Sequence, residues 1–345
     1  MEKTVFEFEK NLRERLALSI FSKKKISIFN IRKYQIKPGI RKFEIELFSI
    51  IDKLIPESKI EINEAGTIIN FLPGLTKKTK VIHKISSLRG ISYFIEFILY
   101  LLLLNPIRTE IKIEGIRTLN LDISLENIIF VTFPLMRKIG LRDLRIKIFT
   151  NFFSLLYNTE LLIFSSDFYS ETGFSITNSG FLKNLRIVLS SSKNNSFAIN
   201  NIEKMKDNFQ KLSEINKKFF NIKILNKNIF FQTVSLVGES STGCLLGKDF
   251  SSIKKKNTNF WRNKIYQIFC SLFNEIYKGN CIDGQNQIFF FLKMLCLKKT
   301  SQTELCVSNL TLASIEFFRD VKKFTGTVYS IESTSKKKPL KIKII

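Results

Sequence analysis

The chain has 345 residues, 44% of them hydrophobic and 25% charged. These are ordinary globular proportions, enough for one large domain plus a smaller one or for two ordinary domains. Lysine and arginine number 55 against 30 acidic residues, a net charge of +25 that favours a polyanionic partner, RNA above all. A single histidine and five cysteines without a C-x-x-C pair argue against a zinc site and rule out H-E-x-x-H chemistry.

Taken in chain order, residues 6–20 are expected as a helix, followed by a strand in ISIFNIRK (26–33) and a turn at Pro38-Gly39. In IRKFEIELFSIIDKLI, Phe43, Leu47, Ile50, Ile51 and Leu54 fall near helical spacing. EINEAGTIINFLPGL (61–75) alternates on either side of a glycine-containing loop and stops at Pro73-Gly74, the signature of a hairpin. Its Asn63, Gly66, Thr67, Pro73 and Gly74 gather where a turn, or the edge of a site, would need them.

ISYFIEFILYLLLLNPI (91–107) imitates a membrane span but carries Glu96 and is too short for one. A buried core helix is expected, in a soluble protein. A strand follows at TEIKIEGI, then a helix over about 124–139 and a strand in DLRIKIF. Residues 176–235 are more polar, with an amphipathic helix in IEKMKDNFQKLSEINKKFF. Helices resume in FWRNKIYQIFCSLFNEIYKG, QNQIFFFLKMLCL and ASIEFFRDVKKF, ahead of a basic tail. Strands and helices alternate throughout, with each strand half-exposed, which points to several α/β sandwich units, sheet on one face and helices on the other.

Four lysine clusters stand out: 23–25, Lys77-Lys78 with Lys80, 254–256 and 336–338. Each alone reads as a solvated loop; together they point to a nucleic-acid environment. The 34 phenylalanines and the abundant lysine also fit an AT-rich genome. The charged opening, MEKTVFEFEKNLRERL, is not a signal peptide. Reduced thiols in an intracellular protein are therefore expected, and the Asn194-Asn195-Ser196 and Asn309-Leu310-Thr311 sequons are chance matches. GCLLGKDF (243–250) resembles a phosphate loop, but its glycine spacing is short by one and Asp249 stands where Ser or Thr is required. His83, between apolar residues and Lys84, is expected to have a structural or substrate-side role.

The hairpin stretch followed by VIHKISSLRGISYFIEFILYLLLL and IKIEGI resembles the RNA 3'-terminal phosphate cyclase family. Further matches are LRERLALS, IRKYQIKPGIRKFE, SLVGESSTG, NEIYKGNCIDGQNQ and IEFFRDVKKF. They run in order from about Phe8 to Ile331 and are weak between 150 and 234. The resemblance implies an α+β fold of three related α/β sandwich units with a smaller inserted α/β domain. It divides the chain into a first large-domain part over 1–175, an insert over 176–255 and a last part with a basic tail over 256–345.

Cyclases in this family carry AMP on a histidine just before the helix that here begins near Ala313. VSNLTLASIEFF has none. Where cyclases tend to have Gln-His after the Pro-Gly turn, this chain has Phe43-Glu44, as in the family's ribosome-assembly branch. Expected glycine-rich stretches are also lost, at Lys77-Lys78, at TNFFSLLYNT (150–159) and at ILNKNIFFQ (224–232), which argues against a working phosphate pocket.

The resemblance therefore implies a non-catalytic factor in early 18S pre-rRNA processing within the small-subunit processome, in the nucleus and nucleolus. Its implied partners are a nucleolar GTPase and pre-rRNA, with no cofactor, no metal and no membrane, as a monomer in a large ribonucleoprotein assembly. Arg13, Arg41 and Arg89 are the anion- or RNA-facing candidates by resemblance, or else solvated helix-end arginines. The alternative is an endoribonuclease using Arg319, Asp320 and Lys322, though residues at i, i+1 and i+3 of a helix do not converge on one point.

Overall fold

A computed structural model describes residues 3–75, 79–105, 108–117, 122–150, 158–165, 173–191, 220–226, 232–252, 258–297, 303–333 and 339–344. Lys77, Lys78, the 254–256 and 336–338 clusters, most of the amphipathic helix expected after residue 201 and most of the 150–159 loop lie outside the described residues.

One connectivity occurs three times. The first unit runs β1 (Lys3–Glu7), α1 (Leu12–Ser22), β2 (Lys25–Phe29), α2 (Lys42–Leu54), β3 (Lys59–Ile62) and β4 (Ile69–Leu72), with strand order β1-β2-β4-β3. The second runs β5 (Thr79–Lys84), α3 (Ile91–Leu104), β6 (Thr109–Ile116), α4 (Leu125–Asn127), a π-helical stretch (Ile128–Thr132), α5 (Phe133–Lys138), β7 (Arg145–Thr150) and β8 (Asn158–Ser165), in the order β5-β6-β8-β7. The third starts at the two-residue β9 (Ser175–Ile176) and resumes much later in the chain. It continues with α7 (Gln287–Cys296), β14 (Glu304–Val307), α8 (Leu312–Thr325), β15 (Tyr329–Ser333) and β16 (Leu340–Ile344), in the same relative order. In each unit the first two strands are parallel and the other pairings antiparallel. A helix crossover is what joins parallel neighbours.

Between β9 and α7 lies a fourth sheet: β10 (Leu182–Ser191), β11 (Phe220–Asn226), β12 (Gln232–Ser240) and β13 (Leu245–Ser252), ordered β11-β10-β12-β13. Helix α6 (Thr258–Tyr277) packs on β12 and β13. Trp261, Ile265, Phe269 and Leu272 share a separate core with Leu185, Ile187, Val234 and Leu236. The fold is thus three related α/β units and an inserted fourth. GCLLGKDF belongs to the β12–β13 hairpin rather than to a strand-to-helix phosphate loop.

The helices of the three units meet at the centre, α1 against α3 and α8, and α7 against α3 and α8. All 14 residues of α3 are buried; this accounts for the run that imitates a membrane span, since a helix apolar all round needs cover on every side. Among the described residues no helix is long and apolar enough to cross a membrane.

The first expected helix is corrected: residues 3–7 are a strand, and α1 starts only at Leu12. Phe8 and Asn11, both at positive φ, make the turn between them. Phe6 faces the core, stacked on Phe324 of α8, and the strand's partner is the parallel β2, a pairing that local periodicity does not show. The strand expected over 26–33 ends at Phe29, where Asn30 and Arg32 turn the chain at positive φ.

Because Leu99 is fully buried at this central junction, Leu99→Ala should cost about 2–5 kcal/mol. Urea denaturation checks this; an unchanged midpoint would mean that α3 is not the shared core element.

Candidate functional site

The hairpin motif is built from the turn outward. Asn63 accepts from the Ile68 amide (2.8 Å) and donates to the Thr67 hydroxyl (3.1 Å), closing the loop. Gly66 adopts φ +66°, and a β-carbon on neighbouring Gly39 (φ +78°) would sit 2.5 Å from the Ala65 carbonyl oxygen, so only glycine suits either position. The Gly66 and Thr67 carbonyls accept from the amides of Ile40 and Ile31. The hairpin thereby pins the 30–41 loop from outside. Pro73 and Gly74 close its far end, where the Gly74 amide bonds to the Ser58 hydroxyl. None of the five motif residues lines the cavity that the loop borders.

That cavity, of about 650 Å³, lies where all three units and the insert meet. Arg13 enters it from α1, Arg32 from the pinned loop, Arg89 from just before α3, and Lys248 from β13. Each of these cations is held by a carboxylate. Arg13 reaches Glu96 (2.5 Å) and the Tyr93 carbonyl (3.0 Å), and Arg32 grips Glu44 with two nitrogens (2.8 and 2.6 Å). Arg89 bonds Asp122, and Lys248 bonds Glu275 (2.6 Å). Rings complete the cluster: Arg13 lies 4.4 Å from the Tyr93 centroid, and Arg89 lies 4.6 Å from Phe43 and 4.7 Å from Tyr93, distances typical of cation–π contact.

Burial works against the charge on Arg13, but Glu96, with Glu14 behind it, outweighs this and holds the guanidinium well above its ordinary value. Burial pushes the carboxyls of Glu96, Asp122 and Glu275 up, against the pull of Arg13, Arg89 and Lys248 respectively. An incoming phosphate would have to compete with these carboxylates for the same cations.

Of the sequence candidates, Arg13 and Arg89 therefore come together in the cavity, while Arg41 stays outside the lining and bonds Gln35 (3.0 Å). Arg32, Lys248 and Glu275 were not singled out from sequence, and Glu96 and Glu44 were noted there only as a charge in the apolar run and as a branch marker. The role of Glu44 could have been found: its carboxylate caps α2 through the Arg41 amide (2.6 Å), the capping signature three residues past the helix start.

The Asp283-Gly-Gln-Asn286 turn ties the insert to its neighbours. The Asp283 carboxylate accepts from the amides of Gly247 (2.9 Å), Gln285 (2.9 Å) and Asn286 (3.0 Å), and Asn286 in turn accepts from the Thr132 hydroxyl (2.8 Å). Thr311 caps α8 by accepting from the Ser314 amide (3.1 Å) and, with Ala313, lines the cavity. The position where the resemblance expects an adenylylated histidine is thus at the cavity wall, occupied by neutral residues.

Arg319, Asp320 and Lys322 all line a second cavity, of about 520 Å³, together with Lys10, Arg15 and Glu316. Asp320 is buried against α1, its carboxylate accepting from Arg15 Nε (2.9 Å). The same Arg15 donates to the Phe8 carbonyl (2.8 Å). Arg319 and Lys322 are exposed, on the side of α8 that shares this cavity with Lys10 and Arg15. His83 sits on β5, away from the cavity, with Nδ1 3.2 Å from Lys53 Nζ; burial, and then Lys53, lower its pKa.

A sequence model of RNA 3'-terminal phosphate cyclases matches residues 6–154. An RNA 3'-terminal phosphate cyclase-like protein of Homo sapiens is 27% identical over 334 residues, covering 93% of this chain and 88% of that protein. A probable protein of the same kind from Dictyostelium discoideum is 27% identical over 346 residues, with 95% and 92% covered. Along more than nine-tenths of its length the chain is thus similar to RNA 3'-terminal phosphate cyclase-like proteins. An rRNA processing protein of Saccharomyces cerevisiae is 31% identical over 140 residues, 41% of this chain and 38% of its own length. The family match falls on the first two units, which supply Arg13, Arg32, Arg89 and Glu96 to the cavity.

Removing Asp320 leaves Arg15 buried without its partner, so Asp320→Ala should lose about 3–5 kcal/mol in a denaturation titration. Arg319→Ala/Lys322→Ala should stay within about 0.5 kcal/mol. Equal, small effects would show that Asp320 has no structural task at α1. For His83 the lowered folded pKa means that the unfolded chain takes up the proton first. Its contribution is therefore present above the ordinary value of 6.5 and is lost as pH falls from there through the lowered folded value. His83→Gln should flatten that part of the stability–pH curve, and an unchanged slope would contradict the assignment.

Proposed function

We propose that this chain is a non-catalytic ribosome biogenesis factor acting in early 18S pre-rRNA processing within the small-subunit processome. Its partners in this reading are a nucleolar GTPase and pre-rRNA, and its place is the nucleus and nucleolus. Similarity to the yeast rRNA processing protein supports the rRNA part of the reading. The observation that carries the non-catalytic part is the pairing of each cation lining the cavity with a carboxylate of the chain itself. Thr311 at the cavity wall supports it too, since no histidine stands there and its hydroxyl is engaged in capping α8. Arg13 and Arg89 in this reading hold the junction of the units together rather than an RNA end, Arg41 serves the turn before α2, and the hairpin motif is scaffold. The nuclease alternative is weakened by Asp320, whose carboxylate is already engaged by Arg15 at the α1–α8 contact.

The large domain in this reading comprises 1–175 and the C-terminal part. The insert begins near 176 and extends past residue 255 to take in α6, whose core it shares.

The test is rescue of 18S precursor processing in cells depleted of their own cyclase-like factor, with Arg319→Ala/Lys322→Ala as the variant because it spares the structural aspartate. Both proteins should restore processing while binding the GTPase. Rescue by the unaltered chain alone, with GTPase binding retained by both, would move the nuclease to first place. A covalent adduct with labelled ATP would overturn the non-catalytic reading.

A further inference from the structure

The three related units each leave one sheet face without helices, and the three faces differ. On the third, Lys341 and Lys343 are matched by Glu304 and Glu332, and no aromatic residue joins them. On the first, Phe29 is the aromatic side chain, with Lys3 over it. The second is of another kind. On β7 and β8, Ile146, Ile148, Leu161 and Ile163 pack into the core, so the alternate residues Arg145, Lys147, Phe149, Leu162 and Phe164 face outward.

Register places these outward residues in rows. Arg145 lies across from Phe164, Lys147 from Leu162 and Phe149 from Glu160. Further across the sheet, Lys80–Glu110 (3.1 Å), Lys84–Glu114 (3.4 Å) and Lys112–Glu160 (2.7 Å) are salt-bridged, which neutralises that half. The β7 side is left with net positive charge. Lys147 lies 5.8 Å from the Phe164 ring, and Arg145 forms no ion pair among the described residues. Phe149 is 49% exposed and Ile82, on the far strand, 60%. Phe164 and Phe149 stand four residues apart in register, about 13 Å along the strands at the usual rise.

An exposed ring, Phe149, and a half-buried one, Phe164, on a four-stranded sheet with cations between them offer what unpaired bases and their phosphates require. The rings stack on the bases, and lysine and arginine follow the backbone. We propose that the outer face of β7 and β8 is a single-stranded RNA-binding surface, with Phe149 and Phe164 stacking bases and Arg145 and Lys147 contacting phosphates. The proposal rests on the rRNA reading above for its biological setting, but not for its chemistry. A duplex keeps its bases stacked on one another and cannot use the rings, so single strands are the specific class. The face lies apart from the cavity, since none of the four residues lines it, and RNA contact here needs no active site.

The experiment is fluorescence anisotropy of the full chain with a labelled oligouridylate of about 12 nucleotides, against a duplex RNA of the same length. Phe149→Ala and Phe164→Ala should each weaken single-strand binding by about ten-fold, while the Tyr variants retain it because the ring remains. Arg145→Ala/Lys147→Ala should reduce the salt dependence of log Kd by about 1–2. Lys341→Ala/Lys343→Ala, on the third sheet, should leave affinity unchanged. Thermal unfolding checks that the variants fold. The proposal is overturned if the unaltered chain does not bind, if the ring deletions leave affinity unchanged, or if duplex binds as well as single strand. The rescue assay reads the other claim separately. Rescue by a chain that binds no RNA on this face removes this proposal alone, and failed rescue with RNA affinity intact removes the biogenesis reading alone.

Discussion

The structure depends on the burial of α3. Each unit has a sheet with helices on one side only, and no unit covers its own helices fully. They are covered by one another, with α3 touching both α1 and α7 and enclosed along its whole length. A helix with no polar face cannot be left at a surface without a large loss of hydrophobic free energy. The three units are therefore obliged to assemble around it, and the cavity is the polar seam left where they and the insert meet.

At that seam charge is balanced locally within a chain that is strongly basic as a whole. Glu96 comes from the otherwise apolar α3 and meets Arg13 of α1; Glu275 of α6 meets Lys248 of β13. A net charge of +25 thus coexists with a junction whose cations are already engaged. Attraction for polyanions must come from other surfaces. Charge acts at range and tolerates many arrangements, whereas the seam needs particular partners at hydrogen-bond distance.

Much of the fold was legible because its signals are local. The hairpin at 59–72, the alternation of β6 and the α3 run each carry their own periodicity, and the ordered motifs pointed to the family and hence to three units and an insert. β1 was not legible, because five residues beside a helix-like run show their strand character only when paired with β2. The site was read only in part. Arg13 and Arg89, named by resemblance as anion-facing, line the cavity, but their pairing with Glu96 and Asp122 could be found only in three dimensions. Asp320 could be named from a motif, yet whether it faces solvent or Arg15 is decided by α1, some three hundred residues away in sequence.

The position of the insert also sets the order in which the molecule can form. Strand β9 pairs with β14, Ser175 with Leu305's neighbour Glu304, and the whole insert lies between them. The first two units are complete by Ser165, and a chain leaving the ribosome can fold them early, as domains generally do. The third cannot close until nearly all of the chain has emerged, because its sheet depends on a contact distant in sequence. Until then the face of α3 that α7 will cover stays open. The insert, with a core of its own, is placed to fold within that interval, bringing the two halves of the last unit together and shortening the exposure of the most apolar helix in the protein.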